Sequence, residues 1–304
     1  MRGAVVARRV TSDQDFGARL VAPLRNYDLF VFDLDGVIYR GAQVVEGAKE
    51  TLDALRRCGK LVAFNTNNST RTRRNYVSLL AHFGIETREL EVFTSAYLAC
   101  LRLRELKPGA TVFVVGERGF VEELRSAGFR VANDDPDLKD SLAPSPQGGR
   151  FPSATPVVDF VVAGLDRKFD YDKLRLASWA IMAGAQFFAS NEDPTLPVPG
   201  GFDPGAGAMV AAISTVVGRR PAEVLGKPNP AGLTALARQF SVTPDRCVMV
   251  GDRLATDVVA GNRAGFFTVL SCETGANDAE DARNAPDDEH RPDLLLPSVA
   301  HFFE

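Results

Sequence analysis

The stretch Leu29-Phe30-Val31-Phe32-Asp33-Leu34-Asp35-Gly36-Val37-Ile38-Tyr39 decides how the chain is read. Four apolar residues run into two carboxylates one residue apart, and a glycine follows at once. An apolar run this short, closed by a glycine, predicts a buried strand over Leu29–Leu34, because it is too brief for a buried helix. Alternation along a strand starts Asp33 and Asp35 on one face, and Gly36 invites a turn. Two carboxylates at the exposed end of a buried strand are costly unless something cationic sits between them. In an open α/β sheet, that end of the strand is also where ligands bind.

Outward from this strand the pattern alternates. Glu46 to Cys58 has helical spacing (Ala48, Leu52, Leu55), with Gly59 where a C-terminal cap belongs. Lys60–Phe64 is a second apolar run, and it exits into Asn65-Thr66-Asn67-Asn68-Ser69. Helical segments follow at Arg71–Phe83 and Ser95–Leu106. Around Lys107-Pro108-Gly109 the rhythm restarts, with strands at Val112–Val115, Phe160–Ala163 and Phe187–Ala189 and helices at Phe120–Ala127, Asp172–Ala183 and Gly207–Val217. Residues 133–156, rich in Pro, Ser, Gly and Asp, read as a mobile loop, and Pro197–Gly205 as turn. After Gly226 the original rhythm resumes: helix Ala231–Phe240, buried strand Cys247–Val250, helix Val258–Ala264 and strand Phe267–Leu270. An exposed acidic loop at 273–292 and a short strand and helix close the chain. The fold class expected is α/β: a doubly wound parallel sheet, with a smaller α/β unit inserted into it. Residues 1–26 form an extension, 27–106 and 219–304 the core, and 107–218 the insert.

Composition excludes several classes. The 304 residues leave room for a sizeable core, and 45% apolar with 24% charged residues is ordinary for a globular protein. A net charge of −4 and no basic cluster argue against a nucleic-acid partner. No apolar run has the length of a membrane span, and residues 1–26 lack the apolar centre of a secretory signal. Cys58, Cys100, Cys247 and Cys272 are scattered, without a CxxC pair, and read as free thiols. A cytoplasmic protein follows as the expectation.

Three apolar runs share one design, each ending in polar residues and a turn. A doubly wound sheet gathers such ends on one edge. That edge would hold Asp33 and Asp35, Thr66 with Asn67 and Asn68, and Asp252 with Asp257; Lys227 in Gly226-Lys227-Pro228 joins them from a loop. Asp33, Asp35 and Asp252 offer hard oxygen donors with no His or Cys nearby in sequence, which suits Mg²⁺. A lysine and a threonine hydroxyl aimed at the same point would bind phosphoryl oxygens, and phosphoryl transfer is largely charge neutralisation and alignment. A carboxylate can itself be the nucleophile. Taken singly, each motif has a plainer reading: Asp33-Leu34-Asp35-Gly36 as a loop carboxylate pair, Thr66–Ser69 as a helix cap, Gly226-Lys227-Pro228 as a turn. Their order and common placement at strand exits favour a site. His82, His290 and His301 receive no catalytic role, Arg71, Arg73 and Arg74 read as a solvated helix face, and Trp179 as core.

Asp33-Leu34-Asp35-Gly36-Val37, Thr66-Asn67-Asn68-Ser69, Gly226-Lys227-Pro228 and Gly251-Asp252 to Asp257 resemble the four motifs of the haloacid dehalogenase (HAD) superfamily. The long insertion, with Asn191-Glu192-Asp193-Pro194 and Pro204-Gly205-Ala206-Gly207-Ala208, resembles the α/β cap of its NagD-like, type IIA, branch of phosphatases. The resemblance covers about residues 28–304. It implies hydrolysis of a phosphomonoester through an aspartyl-phosphate. Asp33 would be the nucleophile and Asp35 the acid and then the base. Thr66 and Lys227 would hold the phosphoryl oxygens with the backbone at Asn67 and Asn68. Asp33, the carbonyl of Asp35 and Asp252 would ligate Mg²⁺, with Asp257 behind them as an acceptor. It further implies a homodimer through the cap.

Substrate choice would lie in the cap, at Asp193–Pro199. Pyridoxal-phosphate phosphatases of this branch resemble that segment but carry histidine where Leu196 stands, so Leu196 fits phosphoglycolate or glycerol 3-phosphate better. Sugar phosphates, nucleotides and pyridoxal phosphate remain alternatives. A phosphomutase of this superfamily would usually place a helical cap between the first two motifs, and the roughly thirty residues between Asp35 and Thr66 leave no room for one. A catalytically silent binding protein is the non-enzyme alternative, although no expected site residue is missing.

Overall fold

The computed structural model describes residues 19–143, 157–198 and 201–304. It divides into two compact units. One comprises the chain up to Thr66 with Val77–Phe93 and Lys227–Glu304; the other comprises Asn67–Tyr76 and Thr94–Gly226.

The first unit is built on a six-stranded sheet in the order Leu294–Leu296, Phe267–Ser271, Cys247–Gly251, Leu29–Phe32, Leu61–Thr66, Val92–Thr94. Leu29–Phe32 pairs in parallel with Cys247–Gly251 on one side and Leu61–Thr66 on the other. All four of its residues are buried, which is why it reads as an unbroken apolar run rather than an alternating one. The chain leaves this central strand toward Leu61–Thr66 and later returns to its other side. That makes its carboxyl end a topological switch point, the place where open α/β sheets bind ligands. Phe32 and Phe64 lie in tilted contact, and Phe302 packs on Phe30 and Phe32. The helix Ala48–Arg57 buries Ala48, Thr51, Leu52 and Leu55, the face its spacing assigned to the core. Gly59, at φ +74°, takes the left-handed conformation beyond its C-terminal end.

The second unit has its own parallel sheet, Glu223–Val224, Gln186–Ala189, Phe160–Ala163, Thr111–Val115, Arg130–Val131. Its core gathers Phe113, Val115, Val161, Ile181, Phe187 and Ile213, with Trp179 packed against it. The strand at Glu223–Val224 lies beyond residue 218, the expected end of the insert.

Several expectations are corrected. Pro197–Gly205, read as turn, is bounded by an antiparallel ribbon, Thr195–Val198 with Gly201–Pro204. Residues 133–156, read as one mobile loop, begin with the 3-10 turn Ala132–Asp134 and the short helix Leu138–Leu142, whose leucines enter the second core; residues 144–156 lie outside the described residues. Of the N-terminal extension, residues 1–18 lie outside them too, but Leu20 bridges to Phe303 and Val21 N–H donates to the Phe302 carbonyl at 2.9 Å. The acidic loop 273–292 contains the helix Ala279–Arg283, capped by Asp278. Arg73 is no solvated residue. It is half-buried, donates from Nε to Glu123 at 2.9 Å and lies 3.6 Å from the Tyr97 ring centre.

Candidate active site

Strand register sets the level of each site residue. Phe32 is paired with Val250 and with Phe64, so the next residues along, Asp33, Gly251 and Asn65, emerge together at the carboxyl ends. Asp33 N–H donates to the Val250 carbonyl at 2.8 Å, which holds the carboxylate at the switch point just past its strand. Asp252 follows directly after Cys247–Gly251, and Thr66 is the last residue of its own strand. Asp33, Thr66, Asp252, Asp257 and Lys227 are all buried. Burying this many charged groups in one place demands close pairing.

Lys227 supplies it. Its ammonium donates to Asp33 Oδ1 at 2.6 Å, to Asp257 Oδ1 at 2.5 Å and to the Asn65 carbonyl at 3.0 Å. Burial alone would lower the pKa of this lysine, but Asp257 and Asp33 outweigh it and hold the group well above its ordinary value. The other oxygen of Asp257 accepts from the backbone N–H of Asp252 (3.2 Å) and Arg253 (3.0 Å). With both oxygens engaged, Asp257 orients its neighbours.

Asp252 differs. Its Oδ2 accepts from Ala276 N–H at 2.9 Å, whereas Oδ1 is buried with no hydrogen-bond partner. A buried carboxylate oxygen without a donor is costly unless a cation meets it. Carboxylate oxygens of Asp33, Asp252 and Asp257 lie within 4.8 Å of one another. An all-oxygen set with one open buried acceptor fits Mg²⁺. Asp33 and Asp252 would hold it, with Asp35 contributing its carbonyl. Gly36, at φ +86°, closes the other side: a Cβ there would collide with the Asp252 carboxylate.

Burial pushes the Asp33 carboxyl well above the ordinary range, against the pull of Lys227. Burial, with Asp257 beside it, pushes Asp252 up to about 7 from 3.8. In metal-free protein the stability Asp252 contributes is present below 3.8 and lost as pH rises through about 7. Mg²⁺ has to displace that proton. Its affinity is therefore expected to rise with pH through about 7, and Asp33, also pushed up by burial, acts in the same direction. Calorimetric Mg²⁺ titrations across that window check this; an affinity independent of pH would contradict the role of Asp252.

Asp35 is half-buried, and its Oδ2 accepts from the Tyr39 hydroxyl at 3.2 Å. Asn67 and Asn68 follow Thr66 in the chain and belong to the second unit. The Asn68 side chain accepts from Thr70 N–H (2.9 Å) and Oγ1 (2.7 Å), closing the turn after the strand. Leu196 lies in the ribbon, paired with Asp203 and half-buried. Sequence reasoning missed Tyr39, although it lies in the opening stretch, and missed the Asn65 carbonyl, which no side-chain pattern announces.

A model of haloacid dehalogenase-like hydrolases matches residues 30–130, and a HAD-hydrolase-like model matches residues 224–302. Human chronophin is 38% identical over 275 residues, covering 88% of each chain. Chloroplastic phosphoglycolate phosphatase 1A of Arabidopsis thaliana is 34% identical, over 90% of this chain and 76% of its own. Among solved structures, a Mycobacterium tuberculosis glycerol phosphate phosphatase in complex with magnesium superposes with a TM-score of 0.80 at 32% identity. The match spans 94% of this chain and 79% of that one. With family models over residues 30–130 and 224–302 and relatives of this identity along most of its length, the chain belongs to the haloacid dehalogenase-like hydrolases, on their NagD-like branch.

Proposed function

We propose that the protein is a Mg²⁺-dependent phosphatase that hydrolyses a small phosphomonoester, of the phosphoglycolate or glycerol 3-phosphate type, through an aspartyl-phosphate on Asp33. The observation that carries this reading is the Lys227 ammonium held between Asp33 and Asp257, beside the unpartnered Asp252 oxygen. Similarity to relatives named for phosphoglycolate and glycerol phosphate supports the substrate class.

Asp33 attacks phosphorus while Asp35 protonates the departing alkoxide; Asp35 then takes a proton from the water that attacks the acyl phosphate. Lys227 favours the ionised form of the desolvated nucleophile, against the upward push of burial. In this arrangement its three N–H donors already face protein oxygens. As phosphorus bonds to Asp33, the carboxylate charge passes to the phosphoryl group, and the ammonium bond to Asp33 is the one placed to follow it. The Thr66 hydroxyl and the N–H groups of Asn67 and Asn68 hold the remaining oxygens. Bound Mg²⁺ supplies positive charge that offsets the repulsion between the phosphoryl group and the carboxylates.

Tyr39 keeps the Asp35 carboxylate in place between its two proton transfers. Asp35→Asn preserves a backbone carbonyl but removes the proton carrier, so both steps are expected to slow by roughly 10²–10⁴-fold with Mg²⁺ binding largely retained. Release of p-nitrophenol from p-nitrophenyl phosphate, with and without Mg²⁺, tests the function. Wild-type turnover that requires Mg²⁺ supports it, and no turnover in either condition favours a silent binding protein. A panel of phosphomonoesters ranked by kcat/KM then fixes the substrate.

Residues 107–218 form the body of the cap in this reading, and the Asp193–Pro199 segment with Leu196 contacts the leaving group. Exchange Leu196→His is expected to reorder the panel more than it alters p-nitrophenyl phosphate hydrolysis. A homodimer through the cap and a cytoplasmic location complete the proposal. No helix among the described residues is long and apolar enough to cross a membrane, and the four cysteines are free.

A further inference from the structure

Asn191-Glu192-Asp193-Pro194 grips the loop after Thr66. The Asn67 carbonyl accepts from Ser95 Oγ at 2.5 Å and from Asn191 Nδ2 at 2.8 Å. The Asn67 side-chain amide donates to both oxygens of Asp193, at 3.1 and 3.2 Å. Asp193 N–H in turn donates to Asn191 Oδ1 at 3.1 Å, so the two clamping residues fix each other. Ser95 and Asn191 are buried, and Gly226 closes the remaining side: a Cβ there would stand 2.5 Å from Asn67 Oδ1.

In a trans peptide the carbonyl of one residue and the N–H of the next point in opposite directions. Two donors that fix the Asn67 oxygen therefore also fix the direction of the Asn68 N–H. We propose that Asn191 and Asp193 are positioning residues for phosphate recognition: they clamp the Asn67–Asn68 peptide so that its N–H stays aimed at the phosphoryl group. The inference rests on the proposed phosphatase reading, in which that N–H is a phosphate donor. It also gives the clamp a second consequence. Gly205 N–H donates to the Pro194 carbonyl and Gly207 N–H to the Asp193 carbonyl, both at 2.9 Å. The ribbon Thr195–Pro204 is thereby anchored at its base to the residues that hold Asn67.

The test is steady-state kinetics with Mg²⁺ on p-nitrophenyl phosphate and on glycerol 3-phosphate, beside melting temperatures. The proteins compared are wild type, Asn191→Ala, Asp193→Ala, Asp193→Asn, Asn67→Asp and the exchange Asn67→Asp/Asp193→Asn. Misaligning one donor is expected to lower kcat ~10–100-fold in Asn191→Ala and Asp193→Ala. The factor should be the same on both esters, because the phosphoryl group is common to them. Asn67→Asp sets two carboxylates face to face, and the exchange, which restores an amide–carboxylate pair, should recover much of the lost rate. Unchanged kcat with a lowered melting temperature would reduce the clamp to a structural contact. A factor that differs between esters would mark a leaving-group contact instead, and failure of the exchange to rescue would equally overturn the proposal. If an alanine variant does not fold, Asp193→Asn, which keeps one acceptor, and the exchanged pair carry the same comparison. Wild-type inactivity sinks the phosphatase reading itself, whereas an active wild type with unaffected variants sinks only this inference.

Discussion

Asp33→Asn is expected to abolish phosphatase turnover, by roughly 10⁴-fold or more, in a protein that remains folded. Asparagine matches aspartate in shape but cannot form the acyl phosphate. Folding should survive because the wild-type carboxylate is already held at a cost: burial pushes it well above its ordinary range despite Lys227. Its replacement leaves Lys227 with Asp257 at 2.5 Å and the Asn65 carbonyl at 3.0 Å. Melting temperature in the absence of Mg²⁺ should therefore stay near that of the wild type or exceed it. Mg²⁺ affinity should fall, since one negative charge is gone. Kinetics and thermal denaturation on the same sample check both halves, and a variant with wild-type rate would remove Asp33 from the chemistry.

Lys227→Met is expected to be the most damaging single change to stability and activity together. Methionine fills much of the lysine's volume but leaves three acceptors, Asp33 Oδ1, Asp257 Oδ1 and the Asn65 carbonyl, without their shared donor. Breaking a buried ion pair from one side costs about 3–5 kcal/mol, because the remaining charge is uncompensated. Sign follows from linkage. Without the ammonium, Asp33 rises further above its unfolded value, so its contribution to stability is present in acid and lost as pH rises. Denaturant unfolding of metal-free protein should show the variant closest to wild type at low pH and furthest from it at neutral pH. Equal deficits at both would mean that Lys227 acts by packing rather than charge. Turnover should fall steeply as well, since the ammonium that offsets the charge on Asp33 and on the phosphoryl group is gone.

Much of this site was legible because its residues sit where buried strands end. In a parallel sheet covered on both faces, Leu29–Phe32 and Cys247–Gly251 lose alternation and become plain apolar runs, so the polar residues that stop them stand out. Lys227 stood out for the same reason, as a cation in a loop among prolines. The ribbon Thr195–Pro204 did not. Its prolines and glycines read as turn, and Phe202, which would mark a strand, is 72% exposed, so no apolar face forms. Among the described side chains of helix Leu138–Leu142 the two leucines are the buried ones, too few to show a period. Arg73 belonged to a basic run, and only the fold supplies the Tyr97 ring and the Glu123 carboxylate that take it out of solvent. The clamp on Asn67 joins residues 124 and 126 positions apart in the chain. Contacts of that kind leave no local periodicity, and the Asn191–Pro194 segment was visible only as a resemblance.

The most direct measurement is mass spectrometry of enzyme acid-quenched during turnover of p-nitrophenyl phosphate. One phosphoryl group is expected on the peptide that contains Asp33, only when Mg²⁺ is present, and absent from Asp33→Asn. A phosphoryl group on any other residue, or the same adduct persisting in Asp33→Asn, would contradict the convergence of Asp33, Lys227 and Asp252 on one phosphorus atom.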